Sequence, residues 1–322
     1  MNFAHEPVLF QETIESLALK PGGTYVDCTL GAAGHSLGLL ATEPTIKLVG
    51  IDQDPEALER AKYRLATYSS QVTLVRGNFR DLRTILGELS INQVDGILMD
   101  IGVSSPQLDD GERGFSFHQE ARLDMRMDPD HPLDAWTLVN TYSQEELHQI
   151  IANYGEERWA KRISEFIVSE RDQNPIETTG DLVEVIKKAV PVGARERGVH
   201  PARRTFQALR IAVNDELGAL EEALVQAVDM LSLGGRLAVI TFHSLEDRIV
   251  KNYFQDQLGK CTCPPDLPIC VCENEPKARL VNKKPIVASP LEEESNPRDR
   301  SAKLREPEKL YGGVDGWLQR DS

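Results

Sequence analysis

Asp100-Ile-Gly-Val-Ser-Ser-Pro-Gln-Leu-Asp109 follows the apolar run Val94-Asp-Gly-Ile-Leu-Met99. The run reads as a buried strand. A carboxylate, a glycine, two hydroxyls and a proline therefore arrive together where the strand ends. In an open α/β sheet, ligands sit in the crevice beyond the carboxyl ends of the strands. The same layout occurs twice upstream. Thr24-Tyr-Val-Asp-Cys-Thr29 carries Asp27 into the loop Gly31-Ala-Ala-Gly-His-Ser36, and Lys47-Leu-Val-Gly-Ile-Asp52 ends on Asp52. Three acids at strand ends within one N-terminal region imply a nucleotide-like cofactor site.

Working outward, Leu37 to Ala41 reads as a helix, and Pro55 to Leu65 as another. Asp54 before Pro55 fits an N-cap and a first helical position. Val72-Thr-Leu-Val75 is a third strand, ending at Arg76-Gly-Asn-Phe79. Strand and helix alternate, which implies a mostly parallel sheet. The alternation stops between Gln107 and Arg203, where Glu145 to Ile151, Arg158 to Val168 and Asp181 to Val190 read as amphipathic helices. Ser143-Gln-Glu-Glu146 has the form of a capping box, and Thr179-Gly-Asp-Leu182 resembles a helix start. A long helix from Thr205 to Leu231 then leads through Gly234-Gly235 into a fifth strand, Arg236 to Phe242. Pro285-Ile-Val-Ala288 and Ser301-Ala-Lys-Leu-Arg305 are candidate strands of the tail. The expected division is a core over 1–106, an inserted helical domain over 107–203, and the rest of the core over 204–322.

The chain has 322 residues, 40% of them hydrophobic, which is long enough for two domains. No segment approaches the roughly 20 apolar residues of a membrane span. The start, Met1-Asn-Phe-Ala-His-Glu-Pro7, lacks the pattern of a signal peptide, so a cytoplasmic protein without a membrane partner is expected. With 51 acidic residues against 36 basic, the net charge of −15 argues against nonspecific coating of nucleic acid. The basic residues are nevertheless clustered: Arg195, Arg197, Arg203, Arg204 and Arg210 in one group, Arg298, Arg300, Lys303 and Arg305 in another. Four of the five cysteines crowd into Cys261-Thr-Cys263 and Cys270-Val-Cys272. Four thiolates can close a tetrahedral zinc site, although this spacing is not the common C-x2-C pattern.

A dinucleotide loop needs G-x-G-x-x-G, and Gly31-Ala-Ala-Gly34 offers only part of it. S-adenosylmethionine has no phosphates, carries a sulfonium and an ammonium, and exposes a ribose diol. Strand-end carboxylates suit it. Asp27 would lie near the amino-acid portion and Asp52 would accept from the ribose hydroxyls. Phe79 would stack on adenine, and Asp100 would meet the ammonium or an incoming amine. The duller readings are caps and turns for the acids, core for Phe79, and a capping role for His35.

Asp100 to Asp109, Glu112-Arg-Gly-Phe-Ser-Phe117 and Leu123-Asp-Met-Arg-Met127 together resemble the MraW family of ribosomal RNA small subunit methyltransferases. His5 to Leu9, Tyr154 to Arg158, Phe206 to Ile211, Phe242 to Arg248 and Asn296 to Arg305 match it as well, so the likeness runs nearly end to end. The resemblance implies a class I S-adenosylmethionine-dependent methyltransferase, Rossmann-like, with an inserted helical domain. It implies methylation of N4 of a cytosine in 16S ribosomal RNA at the decoding centre, probing an assembled small subunit rather than naked RNA. It places the cofactor at Ala33, Gly34, His35, Asp52, Phe79, Asp100 and Gln107. The family loop reads G-x-G-G-H, so Ala33 stands where a glycine is usual.

Cytosine N4 is a poor nucleophile, because its lone pair is delocalised into the ring. Asp100, accepting from N4–H, is the candidate catalytic group. Arg113, Arg203, Arg204, Arg298, Arg300 and Arg305 are candidate RNA contacts. Phe115 and Phe117 either stack on an extruded base or pin their loop to the core. His243 either lines the substrate side or sits beside a capping box formed by Ser244-Leu-Glu-Asp247. A homodimer is a further expectation. The rival functions are a methyltransferase acting on a protein or small molecule, and a binding or assembly factor without catalysis. A nicotinamide oxidoreductase is the least favoured, given the incomplete phosphate loop.

Overall fold

The computed structural model describes residues 7–195, 198–259, 276–289, 292 and 299–310. The chain forms two compact units, one made of 1–102 with 217–322 and the other of 103–216. Sequence patterning had put the helical segment at 107–203, so both of those boundaries fall inside the second unit.

The first unit is built on one sheet. Its strands are β1 (Thr24–Asp27), β2 (Lys47–Asp52), β3 (Val72–Arg76), β4 (Val94–Asp100), β5 (Leu231–Thr241), β6 (Ala278–Leu280), β7 (Lys303–Arg305) and β8 (Pro307–Lys309). The order is β3-β2-β1-β4-β5-β8-β6, with β7 pairing on β5. β1 to β5 are mutually parallel; β7 and β8 pair antiparallel to β5, and β6 pairs antiparallel to β8. The order runs outward in both directions from β1 and β4, the geometry in which an open α/β sheet forms its ligand crevice. Ile97, Leu98 and Met99 of β4 are wholly buried. Each such side chain contributes roughly 1.5–3 kcal/mol relative to exposure. Gly96 cannot be larger, because a Cβ there would lie 2.6 Å from the Tyr25 ring.

The helices are α1 (Phe10–Ser16), α2 (Gly34–Thr42), α3 (Pro55–Arg64), α4 (Leu82–Glu88), α5 (Ser105–Asp109), α6 (Ala135–Thr141), α7 (Gln144–Gly155), α8 (Ala160–Arg171), α9 (Thr179–Ala189), α10 (Arg203–Asn214), α11 (Glu216–Met230) and α12 (Ser244–Asp256). The expected caps form: Asp54 accepts from Glu56 N at 3.0 Å, and Ser143 and Glu146 complete their capping box. The helix start read at Thr179 is capped from one residue earlier, where Thr178 and Asp181 complete a capping box.

Three other expectations are corrected. The helix read over Thr205–Leu231 is two helices, because Asp215 takes a left-handed conformation at φ 46° and caps α10 onto Ile211 O. β5 begins at Leu231 rather than Arg236. Its pairing to β4 jumps from Val94↔Leu231 to Gly96↔Arg236, so Gly234-Gly235 lies within an irregularity of the strand. In the tail, Pro285–Ala288 supplies only an isolated bridge from Ile286 to Leu304, while β6 and β8 were not anticipated.

The second unit is helical around its own core. α7 packs on α8 and α10, and α8 packs on α9. Leu138, Leu147, Ile151, Ile163, Ile186 and Leu209 are fully buried between them. No described helix is long and apolar enough to cross a membrane.

Candidate functional site

The loop between β1 and α2 is tied down from three sides. Asp52, at the end of β2, accepts from Gly31 N at 2.8 Å on one carboxylate oxygen and from Asp54 N at 2.9 Å on the other. Leu30 N donates to Ile51 O at 3.0 Å. At the end of β4, Asp100 N donates to Thr29 Oγ1 at 2.6 Å, so the first loop and the Asp100 backbone share one hydroxyl. Arg64 Nη1 donates to Ala32 O at 2.5 Å.

Ala33 is the N-cap of α2 at φ 58°, ψ 32°, and it is fully buried. The left-handed well is where glycine is at ease and an L side chain is strained. A glycine at this position would be free of that strain, and the chain holds alanine there against it. At Gly34 the neighbouring chain comes closer still, and a Cβ would lie 2.5 Å from Pro7 Cγ.

The three acids differ in their surroundings. Asp27 is buried at 2% exposure and accepts from Ser36 Oγ at 2.7 Å and Thr29 N at 3.2 Å. Burial pushes its carboxyl up to about 6, against which the Ser36 and Thr29 bonds act. It therefore braces the loop from behind and does not face a ligand, contrary to its expected place near an amino-acid moiety. Asp52 is only partly covered, and burial pushes it too up to about 6, opposed by the two backbone amides. At pH 7.5 it is ionised, with lone pairs left over to accept from a diol. Asp100 is 26% exposed at its side chain.

His35 lies 3.7 Å from Asp100 through Nδ1, which is too long for a hydrogen bond. Burial lowers the imidazole to about 4, so it is neutral at physiological pH and the contact is not an ion pair. Nε2 then donates to Val8 O at 3.0 Å, and the ring stacks on Phe10 with centroids 6.1 Å apart. The side chain of His35 thus anchors α2 onto the N-terminal segment. Phe79 starts a 3-10 turn capped by Asn78 after β3, and it is half-buried against the core.

Ala33, Gly34, Asp52, Phe79 and Asp100 accordingly stand at the carboxyl ends of β1, β2, β3 and β4 in one unit. Gln107 belongs to the second unit, where its Oε1 accepts from Ser104 N at 3.0 Å in the capping box of α5. Two of the four strand ends, those of β2 and β4, present a partly exposed carboxylate, Asp52 and Asp100. A ligand with a sulfonium and an ammonium fits that set, whereas a pyrophosphate would meet repulsion. The residues present therefore fit S-adenosylmethionine.

Several expected RNA contacts are internal. Arg113 donates to Arg126 O and Met127 O at 2.9 and 3.1 Å and lies over Phe115, which is itself 6% exposed in the core. Phe115 therefore pins its loop and is not placed to stack on a base. Phe117 stacks on His200 with centroids 4.8 Å apart. Arg305 donates from Nε to Asp247 Oδ1 at 2.7 Å and is 14% exposed, so it fastens β7 to α12. His243, not Ser244, is the N-cap of α12: Nδ1 accepts from Glu246 N at 3.4 Å, and Glu246 reaches back to His243 N. His243 Nε2 is 2.9 Å from Glu246 Oε1, but neither atom finds hydrogen-bond geometry. Arg203 and Arg300 are exposed, and Arg204 donates to Glu156 O at 3.2 Å. Arg298 and the four clustered cysteines, Cys261, Cys263, Cys270 and Cys272, lie outside the described residues. Among the described residues no group of three metal-ligating side chains occurs.

Sequence reading missed Thr29 and Ser36, which hold the strand-end acids in place. Their signal was only a hydroxyl two residues after Asp27 and another at the third position of α2.

Residues 2–310 match the MraW methylase family. Ribosomal RNA small subunit methyltransferase H of Symbiobacterium thermophilum is 58% identical over 316 residues, covering 98% of this chain and 99% of that protein. Its counterpart from Heliobacterium mobile is 53% identical, covering 96% and 100%, and that from Clostridioides difficile is 51% identical, covering 96% and 100%. Among solved structures, an rRNA methylase from Streptococcus thermophilus aligns over 96% of this chain and 100% of its own at a TM-score of 0.42 and 12% identity.

Proposed function

Because the chain belongs to the MraW methylase family, we propose that it methylates N4 of a cytosine in 16S ribosomal RNA, at the decoding centre of the small subunit, with S-adenosylmethionine as donor. The observation that carries this reading is the identity of 58% across almost the whole chain with a protein named for methylation of small-subunit RNA. When bound, the donor supplies an electrophilic methyl group on a positively charged sulfur.

The residues of the chain do the rest. Asp52 would accept from the ribose hydroxyls, the turn Ala33-Gly34 would bring main chain against the ligand, and Phe79 would lie along the adenine. Asp100 accepts a hydrogen bond from N4–H and so draws the amine's lone pair out of the ring. It also stabilises the positive charge that grows on N4 as the new bond forms, and then holds the proton that leaves. Thr29, bonded to the Asp100 amide, positions that residue. Holding N4 in line with the methyl supplies much of the rate. The helical unit, Val103–Glu216, is assigned to recognising the particle.

The test incubates small subunits lacking the modification with purified protein and methyl-labelled donor, then digests the RNA and identifies its nucleosides by mass. Label in N4-methylcytidine supports the reading. Label in another nucleoside, or in ribosomal protein, refutes the atom or the substrate class, and absence of donor binding refutes the methyltransferase reading itself.

A further inference from the structure

The start of α8, the turn Val192–Ala194 and the start of α10 enclose an open cavity within the second unit. It is lined by Arg158, Arg195, Arg204, His200, Trp159 and Glu157, among others. We infer that this cavity is a binding site for a backbone phosphate of the RNA substrate, separate from the strand-end site and reading charge rather than base identity. The inference rests on the function proposed above and names how the helical unit would grip that substrate.

Three independent features converge on an anion. The first is the guanidinium set, three arginines against the single carboxylate of Glu157. Arg158 spends one donor on Ala194 O at 2.7 Å. Arg195 donates to Val190 O and Lys187 O at 3.3 and 2.6 Å. A guanidinium has five N–H donors, so both retain donors for a ligand. Among the described residues neither meets a carboxylate within salt-bridge distance. Glu157 itself is engaged, accepting from Trp159 N at 2.9 Å.

The second feature is the pair of helix starts. α8 and α10 each run for 12 residues, and neither has a side-chain cap at its N-terminus. The first amides are partly used, Trp159 N and Ala160 N by Glu157 and Ala202 N and Arg203 N by His200, while the positive end of each dipole still favours an anion. Trp159, also in the lining, carries a buried Nε1 donor without a hydrogen-bond partner. The third feature is the local field. Burial is the main reason the His200 imidazole is pushed down, and His118, Lys187 and Arg195 push it further in the same direction. The surroundings of His200 therefore disfavour a further positive charge.

The cavity is open to solvent and has room for about three water-sized groups. That is enough to seat phosphate oxygens.

The experiment measures KM for small subunits between 50 and 200 mM salt in the full chain, comparing wild type, R158Q/R195Q, R158K/R195K and R162Q. Arg162 lies over Phe166 on α8, outside the cavity lining, and serves as the control for bulk charge. Losing one charged contact is expected to raise KM about tenfold at the lower salt, with kcat changing far less. The salt slope of log KM should become shallower by about 0.7–0.9, the amount for one phosphate. The lysine pair should recover most of the slope, and R162Q should follow wild type. If R195Q weakens the end of α9 enough to unfold the protein, R158Q alone is read in the same way. A wild-type slope and KM in the glutamine variant overturn the inference, as does an equal effect in R162Q. Failure of the proposed function appears differently, as no methyl transfer by wild type to any subunit preparation. In that event, quenching of tryptophan fluorescence by inorganic pyrophosphate is compared between wild type and R158Q/R195Q, and equal binding by the two overturns the site.

Discussion

Replacing Asp27 with asparagine should stabilise the sheet unit at pH 7.5 and do so less at pH 5. Asp27 is buried, and its carboxyl sits at about 6 in the folded protein against 3.8 for the free group. Between those values the folded state holds a proton that the unfolded state has released, so stability falls as pH rises. Above about 6 the loss is complete. A difference of about two pKa units corresponds to about 3 kcal/mol at pH 7.5 and roughly half that at pH 5. Asparagine has the same shape, accepts from Thr29 N through its oxygen and donates to Ser36 Oγ through its amide. It therefore removes the buried charge and keeps two hydrogen bonds.

The assay must read the right unit. Trp136 and Trp159 both lie in the helical unit, so their fluorescence reports its unfolding and not that of the sheet. Hydrogen exchange of β1 and β4 amides, compared between variant and wild type at one pH so that intrinsic chemistry cancels, isolates the effect. A variant less stable than wild type at pH 7.5, or an offset equal at both pH values, would refute the reasoning.

Three further outcomes are expected. Asp100→Asn should lower turnover by about 10²–10³ while KM for small subunits moves by less than about threefold; a proportional loss in both would make Asp100 a binding group. Ala33→Gly relieves about 1–2 kcal/mol of left-handed strain but gives up a buried methyl, about 0.8 kcal/mol, and frees the unfolded chain by about 0.4–1 kcal/mol. Thermal melts should therefore shift little, and a large destabilisation would show that the turn had been built around the methyl. His243→Ala should cost about 1 kcal/mol through the lost cap, and His243→Ser should restore most of it. A stable serine variant that cannot methylate small subunits would instead place the imidazole against the substrate.

The strand ends were legible because an apolar run that stops on a carboxylate has one reading in an open sheet. Asp52 and Asp100 kept their expected positions at the edge. Asp27 looked the same in sequence and proved to face inward, since which side of a loop a short acid takes depends on Ser36, nine residues along in the first turn of α2. The break at Asp215 was illegible because the apolar spacing carries on through it, and only the left-handed backbone interrupts the helix. Arginines were the least informative residues. Arg113 and Arg305 looked like phosphate contacts and turned out to hold carbonyls and Asp247, whereas Arg158 sat inside the Tyr154–Arg158 motif and was given no role. Charge can be counted in a sequence, but its direction depends on packing.

The pairing of β4 with β5 has a consequence for synthesis of the chain. The two strands are neighbours in the sheet, yet β5 starts 131 residues after β4 ends, with the helical unit between them. At about 5–20 residues per second on the ribosome, the inner edge of β4 waits about 7–26 s for its partner. Ile97, Leu98 and Met99 stand in that edge, an apolar strand able to pair with another chain. Once α7 and α10 pack together, the two ends of the intervening segment are drawn in, which shortens the gap that β5 must close. The nascent protein therefore has its greatest exposure to aggregation midway through translation, and a chaperone that covers a lone strand edge would act in that interval.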